Sequence, residues 1–393
     1  MYPTDPIDAV THSDPYPYYR ALARQQPFFR HERLQLWVAA GAPEVAAVLE
    51  HPACRVRPVA QPVPPALAGN AGGQLFGSLV RMNDGAAHGP LKSLLQEQLM
   101  RLDLAAATRR ATRMAAGLPH VDGDDACAAN RWMFALPVLT MADLLGMPLG
   151  GDDAAHVSLV VAERVAAFAA AMSPLATATE VEAGVAAARW LTQWMDTQVH
   201  AQDGLYARLC EAASAPGEPA GHVGRATLTA NAIGLMVQAC EATAGLVGNT
   251  LVRLGRDVAA VDGGAGDNGA VERLADHAGD LARLVADVAR SDPPVQNTRR
   301  FLAADAMLCG TPVQAGDVVL VLLAAASYDP TQAAAPHPWT FGNGRHACPG
   351  AALAHVLATC TVAGLLRHGV RPARLVQAFR YRPSVNARIP LFL

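Results

Sequence analysis

The residues richest in chemistry lie in one stretch, Phe341-Gly342-Asn343-Gly344-Arg345-His346-Ala347-Cys348-Pro349-Gly350, followed by AALAHVLATC. Gly342 and Gly344 permit backbone angles closed to other residues, so the chain can coil tightly just before the cysteine. Pro349 suits the first turn of a helix, where its missing N–H costs nothing. That places Cys348 at a helix N-terminus, where the helix dipole and free N–H groups favour the thiolate. Gly350 leaves room for a flat group to approach. His346, two residues away, can donate to an anion at the rim. The plainer alternative is a buried thiol in a turn. A phosphate loop fails because no Lys-Ser/Thr pair ends the stretch, and zinc fails because only one cysteine and one histidine are close.

The elements that must position this stretch follow from periodicity. YYRALARQQ reads as a short helix after Pro15-Tyr16-Pro17, LQLWVAA as a strand, and PEVAAVLEHP as a helix. Residues 57–77 are rich in Pro and Gly and read as a long loop, a length usually tied to function. Segments 88–116, 131–146, 153–172, 178–202 and 225–256 carry apolar residues at helical spacing. A flexible turn is expected at 261–270, a helix at 271–290, strands over 295–325 with a turn at GTPVQAGD, a helix at 349–367 and a C-terminal β-hairpin. The expected fold class is mostly α with a minor β portion (α+β), in a single domain spanning 1–393.

With 51% hydrophobic and 17% charged residues, core material is plentiful. The net charge of -3 gives no basic surplus, so no nucleic-acid partner is expected. The seven cysteines, at 54, 127, 210, 240, 309, 348 and 360, include no C-x-x-C pair, which argues against a disulfide framework and fits a reducing cytoplasm. No signal peptide is seen at the N-terminus. No apolar run reaches the roughly 18 residues of a membrane span. The expectation is a cytoplasmic, unanchored protein with no membrane partner.

The cysteine stretch resembles the haem-binding signature of the cytochrome P-450 family, F-G-x-G-x-H-x-C-x-G. Phe341, Gly342, Gly344, His346, Cys348 and Gly350 fill its fixed positions. The resemblance covers nearly the whole chain and implies the soluble bacterial type of that fold, with haem b between the I helix (225–256) and the L helix (349–367). It makes Cys348 the iron ligand, with Phe341 shielding its sulfur and Gly350 and His346 in the cofactor loop. His88 and Lys92 match the family's H-x-x-x-R, which pairs with a haem propionate, with lysine replacing arginine. Arg300, with Arg299 as neighbour, matches an arginine that commonly binds a propionate.

Three departures accompany the match. The K-helix E-x-x-R reads Asp287-Val288-Ala289-Arg290. The P-x-R-F meander, whose arginine completes a triad with that pair, is missing from a short connection between Tyr328-Asp329-Pro330 and Phe341. In the I helix, Glu241 holds the acid position, but Ala242 stands where a threonine is usual, with Thr243 one residue on. Adjacent helical residues point about 100° apart, so Thr243 cannot simply substitute. The implied activity is monooxygenation of a small lipophilic substrate with dioxygen, the electrons coming from a ferredoxin and an NAD(P)H-linked ferredoxin reductase, by a monomer. Glu241 and ordered water would carry protons. A peroxide-using or substrate-assisted enzyme and a non-catalytic haem module remain alternatives. The substrate pocket is expected to be apolar, with Leu75, Phe76, Val237, Val295 and Val385 as candidate walls.

Overall fold

A computed structural model describes residues 2–117, 122–149, 154–198, 200–215, 223–262, 274–275, 277–333 and 337–393. Fourteen α-helices are described: α1 Tyr16–Gln25, α2 Ala42–Glu50, α3 Ala71–Ser78, α4 His88–Met100, α5 Leu104–Ala116, α6 Ala126–Leu145, α7 Ala154–Ala171, α8 Ala178–Thr197, α9 Leu205–Ala213, α10 Arg225–Asp262, α11 Ala278–Ser291, α12 Leu323–Ala326, α13 Ala351–Arg367 and α14 Pro372–Leu375. The strands are β1 Phe28–His31, β2 Leu36–Ala39, β3 Cys54–Arg55, β4 Thr298–Leu302, β5 Ala306–Leu308, β6 Thr311–Val313, β7 Val318–Val321, β8 Phe379–Tyr381 and β9 Pro390–Phe392. The mostly-α expectation with a minor β portion holds.

Helix ends follow local chemistry. Thr177 and Glu180 form a reciprocal capping box at the start of α8. Asp125 caps α6 by accepting from the Ala128 N–H at 2.8 Å, and Gly146, at φ 87°, ends that helix. The central helix is α10. Leu228, Ile233, Met236, Cys240, Val247 and Leu251 along it are buried, which is why it is apolar nearly all round. By length and composition its Arg225–Val258 segment could cross a membrane, yet 83% of the qualifying window is buried inside the protein.

Chain segments from both ends meet in one sheet of order β1-β2-β7-β4-β3. The β2–β7 pair is parallel, with Trp37 opposite Val319, and β4 runs antiparallel to β7, with Arg300 opposite Val319. The C-terminal hairpin β8–β9 is antiparallel as expected, with Tyr381 opposite Pro390. It lies against α10 because Gly245 lets it. A Cβ there would stand 2.7 Å from the Pro294 Cβ and 3.0 Å from the Arg388 carbonyl oxygen.

Two expectations need correction. The loop over 57–77 ends in a helix, α3, whose N-cap Asn70 accepts from the Gly73 N–H at 3.1 Å. Burial of Leu75 and Phe76 outweighs the poor helix propensity of its glycines. Helix α9 was not anticipated, although Leu205, Tyr206, Leu209 and Ala213 form its buried face. The expected turn at 261–270 falls mostly outside the described residues.

Candidate functional site

The cysteine loop is closed by its own backbone. The Cys348 N–H donates to the Phe341 carbonyl at 2.8 Å. This requires Gly342 at φ 71° and ψ -171°, a region open to glycine. Helix α13 begins at Ala351 with Gly350 as its N-cap. Pro349 therefore lies in the turn before the helix and not in its first turn, because Gly350 takes a non-helical ψ of 18°.

Cys348 is exposed, yet the surrounding protein takes enough water from the sulfur to push the thiol up. The Gly350 N–H bond to sulfur and the Lys92 charge act in the opposite sense without reversing this. Phe341 packs on the His355 ring of α13, with centroids 5.3 Å apart. Lys92 donates to the Ala347 carbonyl and so ties α4 to the residue before the cysteine. Burial draws the Lys92 pKa down, and the nearby Cys348 draws it up.

His88 opens α4 and is 7% exposed. Its Nε2 is buried with no hydrogen-bond partner. Burial, and then the neighbouring His346, push its pKa down to about 4, so the ring is neutral near pH 7. The His88 and His346 ring centroids are 4.3 Å apart. His346, expected to donate to an anion at the rim, meets a carboxylate inside the protein: its side chain is buried, with Nε2 3.0 Å from Asp84 Oδ1.

Asp84 also accepts from the Val56 N–H at 2.8 Å and lies 3.5 Å from Arg345 Nε. Arg345 donates through Nη2 to the His51 and Cys54 carbonyls at 3.1 and 2.7 Å. Sequence reasoning missed Asp84 as the hub of this cluster, and no spacing signal pointed to it. Its partners in the cysteine loop lie more than 250 residues away.

Arg300 on β4 is 5% exposed. Its Nη1 donates to the Arg299 carbonyl at 2.9 Å, and its Nε is buried without a partner. Burial draws its pKa down to about 10, partly opposed by Asp84.

These residues fit a haem. Among the described residues, no three His, Cys, Asp or Glu side chains converge on a bare metal ion. A single sulfur donor suits a metal that brings its other ligands in a macrocycle. A Cβ built on Gly350 would meet nothing within 4 Å, which leaves an open cradle beside the sulfur. The unpartnered His88 Nε2 and Arg300 Nε are donors suited to carboxylates.

A second feature is a cavity of about 620 Å³. Its walls come from the α2–α4 connection (Arg57, Arg81), the α7–α8 region (Met172, Pro174), α10 (Glu241), β4 (Arg299, Phe301) and the C-terminal hairpin (Arg382, Val385). Those are the regions expected to wall a substrate pocket, but most of the expected residues lie elsewhere, and charged groups stand among its apolar walls. Of the five apolar candidates only Val385 lines it. Leu75, Phe76 and Val237 face the helical core, and Val295 packs against the sheet core. Four arginines face one glutamate across this space.

Glu241 is not a free acid here, since its Oε1 is 3.0 Å from Arg382 Nη2. Thr243 is 3% exposed and lies off the cavity, while Ala242 is half-buried. Strand β4 joins the two features. Arg299 lines the cavity while its neighbour Arg300 faces Cys54, Asp84 and Arg345.

No family model matches the chain. A biotin-biosynthesis cytochrome P450 of Bacillus subtilis is 31% identical over 121 residues, which are 28% of this chain and 30% of that relative. The solved structure of CalO2 superposes with a TM-score of 0.71 at 23% identity, over 100% of this chain and 99% of that one. That of P450BioI with an acyl carrier protein bearing hexadec-9Z-enoic acid superposes at 0.70 and 18% identity, over 97% and 99%. The chain has the cytochrome P450 fold. Within that fold the Asp287–Arg290 pair is present on α11, but both side chains are well exposed at 39% and 48%. The connection with the missing meander includes residues 334–336, which lie outside the described residues. A different arginine forms a deep staple. Arg388 donates to Asp292 at 2.8 Å and to the Val10, His12 and Ser13 carbonyls.

Proposed function

We propose that the chain is a haem-thiolate monooxygenase acting as one catalytic domain over 1–393, in which Cys348 would hold the iron of haem b. The observation that supports this is an exposed Cys348 sulfur next to open space at Gly350, together with the unpartnered buried donors of His88 and Arg300. Bound haem would supply dioxygen activation, which electron donation from a thiolate favours. His88 and Arg300 would hold the propionates. Lys92 would fix the loop through Ala347 and lend the sulfur positive charge, and would take no propionate directly. Phe341 would keep water from the sulfur. Electrons would come from a ferredoxin and its NAD(P)H-linked reductase.

Glu241 faces the cavity and would pass protons once released from Arg382. Ala242 offers no hydroxyl to hold the accompanying water. That favours a second reading, in which hydrogen peroxide supplies the oxidising equivalents and the proton relay matters less. The first test is optical. The reduced protein with carbon monoxide should show the far-red-shifted Soret band of thiolate ligation, and Cys348→His should abolish it. An imidazole-like band in the unaltered chain would sink the proposal. Turnover with NADPH, a surrogate ferredoxin and its reductase is then compared with turnover on peroxide alone. Activity with neither would leave only a binding module.

A further inference from the structure

The arginine-lined cavity carries the next inference, which rests on the haem-thiolate reading for its role as a substrate chamber. Arg57 is held by the Pro62 and Gln61 carbonyls at 3.1 and 3.3 Å and lies over the Phe76 ring. Arg382 has Glu241 as its counterion. Arg81 and Arg299 differ from both. Among the described residues neither pairs with a carboxylate. Among the described residues Arg81 donates only to the weakly accepting Met172 sulfur at 4.0 Å, and its Nε is buried without a partner.

Burial draws the pKa of both guanidinium groups down, and Glu241 opposes this at Arg81 from beyond contact without reversing it. A guanidinium kept from water with no carboxylate in contact is costly, and a fold tolerates it where a ligand completes the pairing. The same cavity offers an apolar surface from Met172, Phe301 and Ile389.

We infer that the substrate is an organic acid with an apolar body, its anionic group seated on Arg81 and Arg299. An anion there would also compete with Glu241 for Arg382. Carboxylates could come from two sources, the substrate or the haem propionates. The propionate donors assigned above, His88 and Arg300, belong to the cluster around Asp84 and do not line this cavity.

The test uses the haem-loaded protein and calorimetric titration with decanoate, methyl decanoate and decanol at low ionic strength. The acid should bind at least about tenfold more tightly than its ester, as expected for a charge-assisted pair. That margin should shrink as salt is raised. Arg81→Gln and Arg299→Gln should each remove most of the margin and leave ester affinity and haem content unchanged. Arg81→Lys should keep part of it. Equal affinity for acid and ester would overturn the inference. So would arginine variants that lose haem in proportion to lost acid binding, because the two residues would then hold propionates. The calorimetric preference does not depend on which residue would hold the iron. A missing thiolate band with acid preference intact therefore counts against the haem-thiolate reading alone, and the reverse result against this inference alone.

Discussion

Replacing Arg388 by methionine removes a buried charge with several partners. Arg388 is 1% exposed. Its guanidinium joins Asp292 after α11 to the backbone of Val10, His12 and Ser13, and it lies 3.5 Å from the Tyr381 ring centroid. Burial pulls the pKa of the guanidinium down, but Asp292, Tyr16 and Tyr381 more than reverse this, so the net direction is up and the group stays charged. Breaking one side of a buried ion pair costs about 3–5 kcal/mol. At roughly 2.1 cal/mol/K of unfolding entropy per residue, the 393 residues convert this to a fall of about 4–6 °C in the midpoint. Circular dichroism melting of the purified protein reads it directly. The control is Arg290→Met on α11, whose partner Asp287 is 39% exposed. An exposed pair is worth at most about 1 kcal/mol, a shift near 1 °C. Equal shifts for the two variants, or less than about 1 °C for Arg388→Met, would refute the view that this staple outweighs the helix pair.

Other perturbations probe the site and the packing that holds it. Gly350→Leu should leave the melting of the haem-free chain within about 1 kcal/mol, since nothing lies within 4 Å of the new Cβ, while haem uptake measured by absorbance falls severalfold. Gly245→Val should lower the urea midpoint by about 1–3 kcal/mol equivalent, because its Cβ would press on Pro294 at 2.7 Å. Glu241→Gln should cost under about 1 kcal/mol in stability, as its bond to Arg382 is partly exposed. Its reductase-driven turnover should nevertheless drop by about 10²-fold, with peroxide-driven turnover much less affected. A parallel loss in both assays would remove Glu241 from the proton route.

Local pattern was enough for much of this molecule. Helical spacing located most of the long helices, and the alternating tail announced the C-terminal hairpin. The spacing of Phe341, Gly342, Gly344, His346, Cys348 and Gly350 picked out the cysteine loop, because such a loop is built from consecutive residues and its turn needs glycine at Gly342. Positions within α10 were also legible, since a helix fixes where Glu241, Ala242 and Thr243 point relative to one another. Orientation and partnership across the chain were not. Whether Leu75 and Phe76 face a cavity or a core depends on which neighbour covers α3. The charged part of the pocket was missed because Arg57, Arg81, Arg299 and Arg382 come from separate segments, each of which looks like ordinary surface in sequence. Asp84 beside His346, and Arg388 beside Asp292, likewise join residues far apart in the chain. Such contacts are set by how helices and sheet pack, and the protonation of a buried group depends on everything packed around it.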